Sequence, residues 1–344
     1  MSLRVGIICP SEIAFRRFLP ALQKVSEFSF AGVAIASQEE WAGDGKVTAD
    51  TKSIIEKERE KAQTFIDTYG GKIYEGYETL IKSPEIDIVY LPLPPALHFR
   101  WARLALENGK HAYVEKPFTT CLKDTKDLLA IAKGRGLAVH ENYMFIFHRQ
   151  LQAIQDLIAS GEIGKVRQYR VSFGFPRRAA SDFRYNKALG GGALLDAGGY
   201  CMKYASWLLG DSARLVCANS YYEQEFEVDI FGSCTMANNE GTVVQMSFGM
   251  DCDYKCELEA WGSKGTLTTG RVLTAPDGLE PDMTIKHNQE FTTCKLPADS
   301  AFEKSIRRFH ACLTSAETRE DNYRQIERQS LFVDEFKKLS NYGK

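Results

Sequence analysis

Apolar residues recur along this chain in two rhythms, and the change from one to the other divides it. In the first part, short apolar runs at residues 3–8, 30–36, 86–91, 111–114 and 137–140 predict buried strands. Helical patterns at 12–28, 99–108 and 122–133 lie between them. Strands alternating with helices at this spacing predict a doubly wound parallel sheet over residues 1–140. The polar stretch 38–53 is long for a loop of such a unit, and the charged run 56–61 reads as the solvated start of a helix. After a helix at 150–160 the period drops to two. Alternating runs at 165–175, 213–221, 228–236, 242–250, 255–261 and 265–269 predict one large, mostly antiparallel open sheet. A helix at 199–209 is inserted early, and helices at 302–314 and 322–339 close the chain. The fold class expected is α/β, with a Rossmann-type domain over 1–140 and an α+β domain over 141–344. No Pro/Gly linker marks the boundary. One face of the large sheet should pack on helices. The other is expected to carry Val171, Phe173, Val244, Met246 and Phe248, too apolar a set to stay in water, which predicts a homodimer or homotetramer built on this sheet.

Composition changes little in this picture. The 344 residues fit two domains, and 44% hydrophobic with 26% charged residues is ordinary for a globular chain. A formal net charge of −2 gives no reason to expect nucleic acid or an acidic membrane as partner. No apolar stretch approaches the roughly 18 residues of a membrane span. The start runs directly into a strand, so no secretory signal is expected. Nine cysteines without a C-x-x-C, Cys252 and Cys256 standing four apart, indicate neither a disulfide framework nor a metal site. A cytoplasmic protein is expected.

Candidate chemistry sits at the strand ends. A dinucleotide site at the first strand–helix turn usually needs glycines, so that the backbone can turn tightly and approach a pyrophosphate. Here the turn reads Cys9, Pro10, Ser11, Glu12, Ile13, Ala14, with Cys9 and Ser11 where glycines are expected. The helix N-terminus still offers free amides, and Ser11 a hydroxyl. A plain strand–turn–helix is the alternative. After the second strand, an acid would bind the ribose 2′-hydroxyl of NAD. Ser37 and Gln38 stand there instead and suit a 2′-phosphate, with Arg16 or Arg17 supplying charge. NADP(H) is therefore expected in preference to NAD(H). Glu115, Lys116 and Pro117 follow a strand directly, at the sheet edge where ligands bind, and a lysine there can stabilise a developing negative oxygen. In the second domain, the run from Gly190 to Tyr200 brings three glycines, then Asp196 and Tyr200 four apart. Tyrosine keeps its proton near neutral pH and can act as an acid. A glycine loop before a core helix is the structural alternative.

In combination these segments resemble the glucose–fructose oxidoreductase/inositol dehydrogenase family over essentially the whole chain. The resemblance rests on Phe18 to Leu22, Leu91 to Pro95 with His98, Gly109 to Pro117, and the glycine run to Tyr200. Within that family, Glu141 to Phe145, Arg184, Tyr185 and Trp261 to Gly265 look most like the sugar 3-ketoreductases of deoxysugar biosynthesis. It implies an NADPH-dependent oxidoreductase that reduces a ketone on a sugar, either free or nucleotide-linked. It also implies cofactor contacts from Leu91, Leu93, His98, Glu115 and Lys116, and substrate contacts from Asn142, Arg184 and Tyr200. Lys116 takes the family's lysine role, after which a cis bond to Pro117 is expected; Tyr200 takes the proton-donor role, and Asp196 orients the turn or a substrate hydroxyl. The chain departs from the family at Cys9 and Ser11, and at Gln38, where NADP-using relatives commonly carry arginine. Two rivals remain: a polyol or dihydrodiol dehydrogenase, and a cofactor-binding sensor without chemistry.

Overall fold

A computed structural model describes residues 2–43, 47–340, 342 and 343; residues 44–46 of the polar stretch 38–53 lie outside them. It divides the chain into two units. One comprises Met1–Thr119, Lys123–Asn142 and Ser305–Glu327, and the other Thr120–Leu122, Tyr143–Lys304 and Arg328–Lys344. The division is thus not a single cut, because a stretch of the closing helices goes with the N-terminal strands.

The first unit is built on a six-stranded parallel sheet. Its strands are β1 (Leu3–Ile8), β2 (Phe28–Ile35), β3 (Lys72–Glu75), β4 (Ile88–Leu91), β5 (His111–Val114) and β6 (Val139–Glu141). They are ordered β3-β2-β1-β4-β5-β6, every pairing parallel. The order reverses between β1 and β4, and in open α/β sheets ligands bind outside the carboxyl ends of the strands at such a point. The helix expected over 12–28 is shorter. A π-helical turn (Ala14–Phe18) runs into α1 (Leu19–Leu22), and β2 already begins at Phe28. The polar stretch contains α2 (Gln38–Ala42), and α3 (Ala49–Tyr69) takes in the charged run. Next come α4 (Tyr77–Lys82), α5 (Pro95–Glu107) and α6 (Leu122–Arg135). The interior strand residues Val89, Leu91, Ala112, Val114 and Val139 are fully buried, as expected for strands covered on both faces.

The second unit carries α7 (Arg149–Ala159), α8 (Gly199–Leu209) and an eight-stranded sheet. Its strands are β7 (Val166–Gly174), β8 (Arg214–Tyr222), β9 (Asp229–Ala237), β10 (Val243–Gly249), β11 (Lys255–Gly262), β12 (Thr266–Gly270), β13 (Asp282–His287) and β14 (Glu290–Lys295). The order is β14-β13-β12-β11-β7-β10-β9-β8, antiparallel except where β7 and β10 run side by side in parallel. The chain closes with α9 (Ala301–Thr314) and α10 (Ala316–Leu339).

The face assigned to Val171, Phe173, Val244, Met246 and Phe248 needs correction. All five are buried in the core with Leu194, Tyr204 and Phe336. Pairing places Val171 opposite Met246 and Leu258, so this apolar row is the helix-covered side. The open face carries the alternate positions instead, among them Gln168, Arg170, Ser172, Gln245, Glu257 and Glu259. Its large apolar side chains lie toward the margins: Trp261 is 54% exposed, Tyr221 55% and Phe291 66%. Among the described residues no helix is long and apolar enough to cross a membrane.

Candidate active site

The turn after β1 solves the missing-glycine problem without a glycine. Cys9 adopts φ +79, the left-handed conformation that glycine usually supplies. The Ser11 amide then donates to the Cys9 carbonyl at 2.9 Å, which closes the tight turn. The Ser11 hydroxyl accepts the Ala14 amide at 3.3 Å. Pro10 is buried, Ser11 and Ile13 half-buried, and Glu12 exposed, with Arg16 paired to it at 3.7 Å. The Cys9 sulfur lies 3.9 Å from Glu58 on α3, whose carboxylate is paired with Lys61 at 2.6 Å. Burial of the thiol, reinforced by Glu58, pushes its pKa up to about 12, so it stays a protonated, unreactive thiol.

At the end of β2, Ser37 is the N-cap of α2. Its hydroxyl accepts the Glu40 amide at 3.1 Å and donates to the Glu39 carboxylate at 2.9 Å. Backbone amides and that hydroxyl hold the Glu39 pKa below the usual carboxylate range. Glu40 reaches back to the Ser37 amide and also accepts the Tyr77 and Glu78 amides, each at 2.8 Å, tying α2 to the start of α4. Sequence reasoning missed Glu40, although Ser37-Gln38-Glu39-Glu40 is a capping-box signature. Gln38 remains exposed beside it.

Lys116 leaves the carboxyl end of β5 half-buried, and the Lys116–Pro117 bond is cis. Around it the side chains are sequestered. Glu115 is only 8% exposed; its carboxylate accepts the Tyr90 hydroxyl and the Asn142 amide, both at 2.7 Å. Burial raises the Glu115 pKa, and those two donors oppose the rise. Asn142 is fully buried, its oxygen accepting the hydroxyls of Tyr113 and Ser305 at 2.8 Å each. His140 Nε2 lies 2.8 Å from the same Ser305 oxygen. His98 is fully buried as well, its ring nitrogens 2.8 Å from the carbonyls of Pro117 and Leu93. Two carbonyl neighbours favour a charged ring and burial a neutral one. Burial is the larger effect and pulls the pKa down to about 4, so at neutral pH one nitrogen donates and the other abuts a carbonyl. Leu91 and Leu93 line this region as buried side chains. The structure thus brings Glu115 together with Asn142, and His98 with the Pro117 backbone, as braces around Lys116.

In the second unit the glycine run is packed against protein. A Cβ on Gly191 would come 2.3 Å from the Arg184 carbonyl, and one on Gly199 would come 2.0 Å from the Tyr143 hydroxyl. After Ala193 a π-helical turn (Leu194–Gly198) leads into α8, with Tyr200 its second residue. Such π-turns are rare and recur at functional sites. Asp196 accepts the Arg184 guanidinium at 2.6 Å, and Arg184 also pairs with Asp182 at 3.2 Å. Burial works against the Arg184 charge, but Asp196 and Asp182 outweigh it and raise its pKa. Tyr200 is 8% exposed, its ring packed edge-on against Tyr143 and Phe173, with Phe145 tilted beside it. A phenol held by aromatic neighbours on three sides has its ring orientation fixed. Among the described residues no group of three or more His, Cys, Asp or Glu is placed to hold a metal ion.

Comparison with known proteins agrees with this arrangement. A family profile described as an oxidoreductase family with an NAD-binding Rossmann fold matches residues 12–143, and the GFO/IDH/MocA C-terminal domain matches residues 151–268. The chain is 34% identical to dTDP-3,4-didehydro-2,6-dideoxy-alpha-D-glucose 3-reductase of Actinomadura kijaniata, over 96% of this chain and 94% of that one. It is 36% identical to the enzyme of the same name from Streptomyces violaceoruber, over 89% and 86%. A crystal structure of a 3-ketoreductase from Actinomadura kijaniata, in complex with NADP and TDP-benzene, superposes with a TM-score of 0.88. Identity there is 33%, with 99% of this chain and 98% of that one covered.

Proposed function

This chain belongs to the GFO/IDH/MocA oxidoreductase family, and we propose that it reduces a ketone on a nucleotide-linked deoxysugar with NADPH. The observation that carries the reading is likeness to a dTDP-sugar 3-reductase along nearly the whole of both chains. The first unit fits a dinucleotide on its own geometry. Its strand order reverses beside β1, and the turn there takes a glycine-like conformation at Cys9 despite the side chain. The Glu12 and Ile13 amides and the Ser11 hydroxyl would hold the pyrophosphate, and Gln38 with Ser37 the adenosine end. NADPH, when bound, supplies the hydride for the carbonyl carbon.

The rest falls to side chains. Tyr200 gives its phenolic proton to the reacting oxygen, and the Lys116 ammonium donates a hydrogen bond to that oxygen as negative charge develops. Arg184, held by Asp196 and Asp182, is left with donors suited to a hydroxyl or phosphate oxygen of the substrate. Asn142 serves the same end indirectly, by holding Glu115. The test is turnover by full-length protein. Tyr200→Phe should lower kcat by about 10²–10⁴, and Lys116→Ala should lower it strongly, with NADPH binding retained in both. A folded, NADPH-binding Tyr200→Phe enzyme working at the parent rate would refute the assignment.

The same reading includes self-association and a cytoplasmic setting. The large sheet is uncovered on one face, with a hollow of about 470 Å³ lined by Arg170, Lys255, Glu257 and Thr284. Exposed Trp261, Tyr221 and Phe291 support a second copy as its cover. Sedimentation equilibrium at micromolar concentration should report a dimer or tetramer; a monomer alone would remove this part.

A further inference from the structure

Asp229 opens β9 with no exposed surface, and sequence reasoning gave it no role. One carboxylate oxygen accepts the backbone amide of Leu194 at 2.7 Å. Leu194 begins the π-turn that runs into α8 and Tyr200. The other oxygen faces Gly192, whose φ is +115; a Cβ there would come 2.2 Å from it and 3.3 Å from the Tyr342 hydroxyl. The glycine therefore makes room for the carboxylate. The far end of the same turn is also pinned. Gln329 donates to the Gly199 carbonyl at 2.8 Å, and a Cβ on Gly198 would strike the Phe248 ring at 2.8 Å.

From this geometry we propose that Asp229 is a positioning residue for turnover: it clasps the start of the π-turn and so fixes where Tyr200 presents its hydroxyl. The proposal rests on the reading of Tyr200 as proton donor. Asp229 itself touches no reacting atom. What the task requires is an acceptor for the Leu194 amide, at a place where the fold leaves room for a planar side chain. Burial pushes the Asp229 pKa up to about 6, with the Leu194 amide, Tyr342 and Lys337 opposing the rise.

The experiment compares Asp229→Ala, Asp229→Leu, Asp229→Asn and Tyr200→Phe in the full chain. The probes are NADPH and dTDP-3,4-didehydro-2,6-dideoxyglucose, and thermal melting confirms folding. Leucine fills the buried space without an acceptor, which keeps the test open if the alanine protein does not fold. Asparagine restores an acceptor for Leu194. Misplacing a reacting group by about 1 Å can cost about 10²-fold. Alanine and leucine should therefore lower kcat at least about tenfold, with KM and the NADPH Kd within about threefold of the parent. Asparagine should hold kcat within about threefold. A parent-like kcat in the alanine or leucine variant overturns the proposal, as does an asparagine variant as slow as they are. Tyr200→Phe at the parent rate refutes the donor assignment instead, whatever Asp229 does. A slow Tyr200→Phe beside a fast Asp229→Leu refutes the positioning role alone.

Discussion

Replacing Asn142 by leucine distinguishes a substrate contact from an internal brace, and the structure sets the size of the effect. Its amide nitrogen donates to the buried Glu115 carboxylate at 2.7 Å, and its oxygen accepts from Tyr113 and Ser305 at 2.8 Å each. A bond to a charged acceptor contributes roughly 1.5–3 kcal/mol and each neutral one about 1 kcal/mol. Leucine removes all three and leaves buried partners short of a bond, so a loss of about 4 kcal/mol is expected. In a unit of this size, about 2–4 °C per kcal/mol makes that a fall in Tm on the order of 10 °C. The KM for the sugar nucleotide should change less than Tm implies, since the side chain has no exposed surface.

Asn142→Asp sharpens the test. It keeps the shape but sets a second carboxylate beside Glu115, whose pKa burial already raises. The pair then holds a proton in the folded state at a pH where the unfolded chain has released it. Folded protein binding more protons means that stability falls as pH rises. The aspartate variant should therefore melt nearest to the parent at about pH 4 and far below it at about pH 8. Thermal unfolding across that range, with KM measured in parallel, gives both readouts. A leucine variant melting within about 2 °C of the parent, with only the substrate KM raised, would refute the brace and return Asn142 to the substrate.

Three further outcomes follow from other positions. Cys9→Gly relieves a left-handed residue that costs roughly 1–2 kcal/mol and clears a Cβ from the turn, so NADPH should bind more tightly by fluorescence titration; weaker binding would count against that turn as the pyrophosphate site. Glu39→Gln removes a carboxylate 2.9 Å from the Ser37 hydroxyl and should widen the preference for NADPH over NADH, expected at about tenfold in the parent; an unchanged ratio would move the 2′-phosphate elsewhere. Asp229→Asn should raise stability at neutral pH, because the rise in its pKa from 3.8 to about 6 corresponds to about 3 kcal/mol held against the ionised fold. The folded state binds the extra proton, so the parent's deficit grows between those values and the variant's advantage should vanish below about pH 4 in calorimetry.

Much of the fold was legible because burial and period coincide. Strands β7 to β12 alternate, and their runs were readable within a few residues. The β13–β14 ribbon was not: every residue of β14 is exposed, so no buried face imposes alternation there, and in β13 the alternation is confined to buried Met283 and Ile285, too short a run to stand out. The helix after β1 was over-read because apolar Phe28 belongs to the next strand. Periodicity also separates two faces without saying which one the helices cover, and Val171 and its row were placed on the wrong side for that reason. The glycine run does mark close approach, but the approaching atoms are the Arg184 carbonyl, the Asp229 carboxylate, the Phe248 ring and the Tyr143 hydroxyl. Contacts of that kind come from distant sequence. Asn142 meets residues 27, 29 and 163 positions away, and no local pattern encodes such distances.

The two motifs that carry the family likeness have a common construction. In Glu115-Lys116-Pro117-Phe118 only Lys116 keeps substantial exposure, while its neighbours are buried, Glu115 on Tyr90 and Asn142 and the Pro117 carbonyl against His98. In the glycine run, the backbone before Tyr200 is held by Asp229 and Gln329 and given room by four glycines, Gly191, Gly192, Gly198 and Gly199. On the proposed reading one side chain in each motif reacts, and the rest of its length fixes that side chain in place. Catalytic geometry tolerates little error, so a motif of this kind has to be long even where a single group reacts. It follows that substitutions should sort by readout. Changes at Lys116 and Tyr200 act on turnover with little effect on melting. Changes at Glu115, Asn142 and His98 act on melting first. Asp229 stands apart, since its neutral replacement gains stability and its apolar ones lose rate.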